Sequence, residues 1–310
     1  MSSICIGQKA WVGYYPRIVV HPTEAVRRSA RNYIEVGVIR LGINTLIGLA
    51  CIFAAVVLAV GGLLAVRRWL QATDLKIHHD VTDPLSQVVG MMFAVLLGFM
   101  VSDAMQRFEQ ARSTVQQEAA SLADIFNLAG GLPKQDRDNL RGLCIKYADQ
   151  IITEEWPLLG QKKISVPTIR TYRAIWQDCI TYQPKAQNDS NIQQIMLNSL
   201  TSMSDARRLR IEALHNGLPF ALWWVLVVGG LATIIFTYFF GVKNIKLQMV
   251  MTAIVTLVIC LNIFLLYSYD DPFGGDVMVH PTAFEADLMM FKTQWNADKD
   301  KESLEKEVAP

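Results

Sequence analysis

Apolar residues cluster into four charge-free stretches along the chain. Residues 41–66, 217–242 and 247–269 contain 26, 26 and 23 residues without a charged side chain. Each is long enough to cross a hydrocarbon layer of about 30 Å as a helix. Residues 85–102 give a shorter stretch of 18, but it contains no proline and continues in a helical pattern on its far side. The pattern predicts four membrane helices, TM1 to TM4, at these positions.

Helical periodicity continues well beyond the second span. One helical face of residues 103–129 carries apolar side chains at Phe108, Val115, Leu122, Ile125 and Ala129. Gly130-Gly131 then ends the pattern. TM2 is therefore predicted to continue as one helix from 85 to about 129, about 68 Å in length. Amphipathic stretches near 133–158, 166–182 and 189–214 extend this into a helical region over 133–216.

Four spans place both termini, residues 1–40 and 270–310, on the same side as the 133–216 region. Arginines near the helix ends on that side are Arg27, Arg28, Arg31, Arg40, Arg107, Arg112, Arg207, Arg208 and Arg210. The opposite side has Arg67, Arg68, Lys76, Lys243 and Lys246. The excess of positive charge favours cytoplasmic termini and a cytoplasmic helical region. Residues 1–20 lack the continuous apolar core of a signal peptide, and the last fourteen residues, from Ala297, are predicted to be disordered.

Composition and motifs narrow the possible functions. A net charge of +1 argues against a nucleic-acid partner, and the five scattered cysteines indicate neither a disulfide frame nor a metal site. The segment 76–80, KIHHD, could bind a transition metal, but a solvated loop explains it better because no third histidine is near. Asp83-Pro84 suggests an N-cap and a proline at the first helical position of TM2. No catalytic or phosphate-binding motif is present, and the sequence predicts neither a metal nor a cofactor.

The spans also lack charged residues. Transporters and proton pumps usually keep such a group at membrane depth, whereas a pore with an apolar constriction needs none.

Two segments resemble the bestrophins and, more closely, the bacterial family called bestrophin-like. The stretch 96–112, LLGFMVSDAMQRFEQAR, is similar to the bestrophin segment in which Leu-Gly-Phe is followed by an arginine and an aromatic residue, here Arg107 and Phe108. The stretch 270–276, DDPFGGD, resembles the acidic Pro-Phe-Gly segment after the fourth bestrophin helix. The resemblance implies an all-α, four-span fold with a helical cytoplasmic region, in a bacterial inner membrane.

This resemblance further implies a homopentameric ion channel, with inorganic ions and membrane lipid as its other partners. Its central pore, lined by TM2, would have an apolar neck at Met91, Val95 and Phe99, which are spaced by four. Phenylalanine edges carry partial positive charge, so the implied ion is chloride. Asp103 and Arg107 would form the inner pore mouth, and Asp103 departs from the family pattern in a way that could favour cations. Animal bestrophins bind calcium after the fourth helix, but the three aspartates here are few for that ion.

The segment after TM4 comprises Asp270, Asp271, Pro272, Phe273 and Asp276. Pro272 should stop the helix, and Gly274-Gly275 should permit a turn back along the helical region. Aspartates at a helix C-terminus oppose the helix dipole, so the two adjacent ones are expected to pair with arginines such as Arg107. Two other functions stay open: a non-conducting scaffold or sensor that binds a partner through the helical region, and, less favoured, an enzyme with a concealed site.

Overall fold

The computed structural model describes residues 24–69, 79–240, 244–274 and 277–308, and within these the side chains of 45–69, 84–240, 244–274, 277–300 and 303. All the regular structure in these residues is helical. The helices are α1 (Glu24–Trp69), α2 (His79–Leu128), α3 (Lys134–Gln150), α4 (Trp156–Leu159), α5 (Val166–Thr181), α6 (Gln187–Ala213), α7 (Phe220–Tyr238), α8 (Ile245–Asp270) and α9 (Thr282–Val308). The predicted all-helical fold class is confirmed.

Four of these helices are long and apolar enough to cross a membrane, which confirms the predicted number of spans. The apolar segments are Thr45–Trp69, Pro84–Gly131, Phe220–Tyr238 and Ile245–Asp270. Two helices begin earlier than the sequence predicts. α1 starts at Glu24 because residues 24–40 contain no proline to stop it. α2 starts at His79 and contains Pro84, whose fixed φ is compatible with a helix at the cost of one hydrogen bond.

The C-terminal half of α2 is the centre of a helical body that also comprises α3 to α6 and α9. α2 contributes a buried face to the core of this body, as its periodicity predicts, and α6 packs along it. The main core residues from the five longest helices are Phe108, Val115, Leu122, Phe126, Leu140, Tyr147, Ile175, Leu200, Met203, Phe284 and Phe291. Since one uninterrupted helix belongs to both the membrane region and this body, the two parts are rigidly connected.

α9 differs from the prediction of a disordered tail from Ala297, because the helix continues to Val308. Asp298 forms an ion pair of 2.5 Å with Arg141, whose side chain is 5% exposed. The Lys299 ammonium lies 4.8 Å from the centre of the Trp295 ring, which is one turn earlier in α9. Phe291 stacks on Phe126 of α2 with ring centres 4.1 Å apart. These contacts hold a segment whose charged composition alone suggests disorder.

A buried group of four charges and one phenol joins α2, α3 and α6. Glu118 accepts from Arg210 Nε at 2.6 Å, and Glu155 accepts from Arg210 Nη2 at 2.7 Å and from Arg207 Nη2 at 2.9 Å. Tyr147 accepts from Arg207 at 2.8 Å and donates to Glu118 at 2.5 Å. The Glu118, Glu155 and Arg210 side chains are 0% exposed. We call this set the buried charge network, and its formal charges sum to zero.

A local irregularity accompanies the position of Glu155. Residues Ile151–Glu155 form a π-helical turn between α3 and α4, which shifts the register of side chains relative to an α-helix. Burial would raise the pKa of Glu155, but attraction to Arg210 and Arg207 and their hydrogen bonds outweigh it, so the pKa lies below the ordinary 4.5. The carboxylate therefore stays ionised inside the core.

Replacing Arg210 with methionine should lower the free energy of unfolding by about 3–5 kcal/mol, because it leaves two buried carboxylates without their closest cation. Arg208→Met is the matched control, since Arg208 lies two residues away and is exposed. Thermal unfolding of both variants in detergent measures the difference. Equal losses in the two variants would show that the network contributes little.

Acid should weaken the network in a defined direction. A carboxyl group with a lowered folded-state pKa stabilises the fold above its unfolded pKa, and this contribution is lost as the pH falls through the folded-state value. The melting temperature of the parent should therefore fall more steeply below pH 4.5 than that of Glu155→Gln, which has no carboxyl group to protonate at this position. Parallel curves for the two proteins would contradict this assignment.

Candidate ion pathway and membrane junction

The membrane half of α2 has one packed face and one exposed apolar face. Phe93, Leu97 and Met100 are buried in a cluster with residues of α7 and α8. Phe93 approaches α7 so closely that a Cβ at Gly229 would lie 2.7 Å from its ring. A glycine is therefore required on the α7 side of this contact.

The exposed face carries the three residues predicted to form a neck. Met91, Val95 and Phe99 are 72%, 51% and 72% exposed. They follow one another at intervals of four, so each lies one turn further along the same side of the helix. These three residues are called the apolar stripe. Among the described residues, none covers more than a part of them, and that surface can meet lipid or another subunit.

Two charged residues continue the same row of positions. A row of every fourth residue drifts by about 40° per step around an α-helix, because 3.6 residues make one turn. The side chain of Asp103 is still 60% exposed, whereas that of Arg107, one step later, is 26% exposed. The drift thus carries the row from the open face at Phe99 to the junction with α8 at Arg107.

Arg107 connects three segments where the spans meet the helical body. Its Nη1 donates to the Asn216 carbonyl oxygen at 3.0 Å, just before α7. Its Nε lies 3.2 Å from Asp103 Oδ2, and its Nη2 lies 3.8 Å from Asp270 Oδ1 at the end of α8. Neither Nε nor Nη2 makes a hydrogen bond, so both carboxylate contacts are Coulombic. This arrangement, which we call the Arg107 junction, agrees with the predicted pairing of Asp270.

The two adjacent aspartates have different partners. Asp270 Oδ1 accepts a hydrogen bond from the Leu218 amide at 2.7 Å. Asp271 Oδ1 accepts from the amides of Phe273 and Gly274 at 3.2 and 3.0 Å and so closes the turn after α8. The expected arginine partner is therefore present for Asp270, while Asp271 bonds to the backbone of its own turn.

The turn after α8 is fixed to the helical body. The Pro272 carbonyl accepts from the Val279 amide at 2.8 Å, and Phe273 is buried edge-on against Trp156 with ring centres 5.8 Å apart. Gly274 lies in the predicted turn, and its φ is not positive. What favours glycine there is the close packing, since a Cβ would lie 3.2 Å from the Gly160 carbonyl oxygen and 2.7 Å from Asp271. Asp276 and Gly275 lie outside the described residues.

Two of the groups that form the junction could not be predicted from the sequence. The Asn216 carbonyl and the Leu218 amide are backbone groups, so residue type does not reveal them.

Beside Arg107 lies a cavity of about 260 Å³ lined by Gln110, Thr114 and Glu212, among others. Among the described side chains, no group of three or more His, Cys, Asp or Glu is placed to hold a metal ion. The side chains of the 76–80 segment and of Asp83 fall outside that description.

Replacing Arg107 with alanine should weaken the junction by about 1.5–3 kcal/mol, the usual worth of a hydrogen bond to a charged group. Arg112→Ala is the matched control, because Arg112 lies on the same helix and its ion-pair partner among the described residues is Glu109, one turn away at 3.5 Å. Thermal unfolding and native mass spectrometry measure stability and assembly. If the two variants behave alike, Arg107 is not a structural connection.

Together the four spans, the continuous second helix and the helical body define a class of integral membrane proteins. A sequence model described as the Bestrophin-like domain matches residues 53–284, which is more than half of the chain. The protein belongs to the Bestrophin-like family, and the resemblance seen in its sequence is confirmed.

Solved structures support the same fold. The chain is similar to a bacterial Bestrophin homolog from Klebsiella pneumoniae, with 14% identity and a TM-score of 0.57 over 77% of this chain and 98% of that chain. Two mutant forms of that homolog give TM-scores of 0.58 and 0.60 at 14% identity, covering 78% and 77% of this chain and 98% of each of those chains. A comparison with curated proteins finds no match.

Proposed function

We propose that the protein is a subunit of a pentameric, anion-conducting channel whose central pore is lined by α2. The observation that carries this proposal is the apolar stripe, a row of large side chains exposed on a helix whose other face is packed within its own subunit. Five copies arranged around an axis would bring Met91, Val95 and Phe99 together as three rings. Such rings form a narrow apolar neck that can gate by excluding water.

The residues that follow the apolar stripe favour a pore over simple lipid contact. Ser102, Gln106, Ser113 and Gln117 are exposed on α2 as it leaves the membrane region and enters the helical body. The open face is continuous, apolar first and then polar with Asp103 beside Ser102, which suits a neck that leads into a wet vestibule. In this proposal the helical body is cytoplasmic, as the arginine distribution predicts.

Chloride is the ion that the neck suits best. The edges of the Phe99 rings present partial positive charge, which can replace part of the hydration shell of an anion. Asp103 would oppose anions at the neck exit, but Arg107 is 3.2 Å from it and offsets its charge. The Bestrophin-like membership and the charge-free stretches of the four predicted spans agree with passive ion conduction.

Phe99→Ala should raise chloride flux several-fold in liposomes containing the purified protein, because it widens the neck and removes part of the barrier to water. Phe53→Ala is the matched control, since Phe53 is 73% exposed on α1, compared with 72% for Phe99. It should leave flux unchanged. Reversal potentials under separate chloride and sodium gradients give the ion sign.

The same experiment decides between the channel and the alternative of a non-conducting scaffold. If the folded parent and Phe99→Ala assemblies both carry no ions, the channel proposal fails and the helical body becomes the functional surface. If sodium rather than chloride sets the reversal potential, the pore survives but the anion assignment is wrong. An equal change in the Phe53→Ala control would show a general defect rather than an effect at the neck.

A further inference from the structure

One guanidinium serves two carboxylates at the inner end of the proposed neck. Arg107 lies 3.2 Å from Asp103 and 3.8 Å from Asp270, and it makes no directed hydrogen bond to either. The three groups carry a formal charge of −1 together. Which carboxylate the guanidinium neutralises more completely therefore determines how much negative charge the open face of α2 presents.

The two aspartates face different surroundings. The side chain of Asp103 is 60% exposed and belongs to the row of the apolar stripe, while that of Asp270 is 22% exposed at the end of α8. Within the part of the chain that the structure describes, Asp270 alone of the two has a second donor, the Leu218 amide at 2.7 Å. This short bond partly compensates Asp270 and leaves the guanidinium closer to Asp103.

We propose that Asp270 is a positioning residue that sets the ion preference of the pore without lining it. It acts by competing with Asp103 for Arg107, and the Leu218 amide limits that competition. The inference rests on the proposed channel function. It assigns a role in selectivity to a carboxylate at the end of TM4, whereas the apolar stripe accounts only for the barrier.

Charge arithmetic gives the expected direction of each substitution. Asp270→Asn changes the formal charge of the three groups from −1 to 0 and leaves Arg107 entirely to Asp103. The asparagine amide oxygen can still accept from Leu218, so the turn into α7 keeps its hydrogen bond. Arg107→Gln removes the only cation of the three and changes their charge to −2. The permeability of chloride relative to sodium should therefore rise in Asp270→Asn and fall in Arg107→Gln.

The neighbouring carboxylate provides a matched control. Asp271→Asn removes the same charge one residue further along, but Asp271 bonds to the amides of Phe273 and Gly274. If Asp270 acts through Arg107, the reversal potential should shift in Asp270→Asn and not in Asp271→Asn. Equal shifts in both would mean that any charge near the end of α8 acts through the general field, which would overturn the proposal.

A double substitution tests the route through Asp103. In an Asp103→Asn background there is no pore-facing carboxylate for Arg107 to neutralise, so Asp270→Asn should have a much smaller effect on the reversal potential. Independent, additive shifts would overturn the proposed competition. Native mass spectrometry on each variant separates altered assembly from altered selectivity.

The outcomes also distinguish this inference from the channel proposal beneath it. If chloride flux changes in Phe99→Ala but the reversal potential does not change in Asp270→Asn, the channel proposal stands and the role of Asp270 is excluded. Absence of flux from the assembled parent and all variants would end both.

Discussion

The continuity of α2 is the constraint on which the rest of the structure depends. This helix has 50 residues, and no proline interrupts it after Pro84. Phe99 in the membrane half and Glu118 in the helical body are separated by 19 positions, or about 28 Å along one rigid axis. Any movement of the apolar stripe relative to the body must therefore bend α2 or move the body with it. The packing of the body thus fixes the position of the proposed neck.

The two charged clusters to which α2 contributes lie at different positions along its axis. Between α7 and α8 the described contacts include uncharged hydrogen bonds: Thr237 and Thr252 lie 3.1 Å apart, and Gln248 donates to the Phe240 carbonyl at 2.8 Å. Below the spans, the Arg107 junction carries a formal charge of −1 and is partly exposed. Deeper in the body, the buried charge network is neutral. A charge that water reaches can influence an ion, whereas a fully paired one contributes mainly to how the helices are arranged.

Sequence reasoning succeeded where the physical signal is local or repeated. Clustered apolar residues identified the four spans, and periodicity identified the buried face of α2. It did not predict the burial of Arg207 and Arg210, because the residue type is the same in a buried ion pair and in a surface charge. Their partner Glu155 lies more than fifty positions away. The helical tail of α9 was missed for a similar reason, since its contacts with Arg141 and Phe126 exist only after folding. The need for Gly274 was expected, but its cause, the nearby Gly160 carbonyl, could not be.

The two charged clusters on α2 have different roles. Glu118 lies where α2 is surrounded by α3 and α6, so its pairing holds the body together but is too remote from Phe99 to affect an ion there directly. Arg107 lies eight residues from Phe99, about 12 Å along the helix, or about one and a half screening lengths in physiological salt, whereas Asp103 lies only about 6 Å from Phe99, within one screening length. The extent to which Arg107 neutralises Asp103 therefore affects the electrostatic potential at the neck exit. The junction therefore combines a structural role, through the Asn216 carbonyl, with an electrostatic one, through Asp103 and Asp270. A substitution that preserves the first and changes the second separates the two, and Asp270 is the residue where the structure allows this.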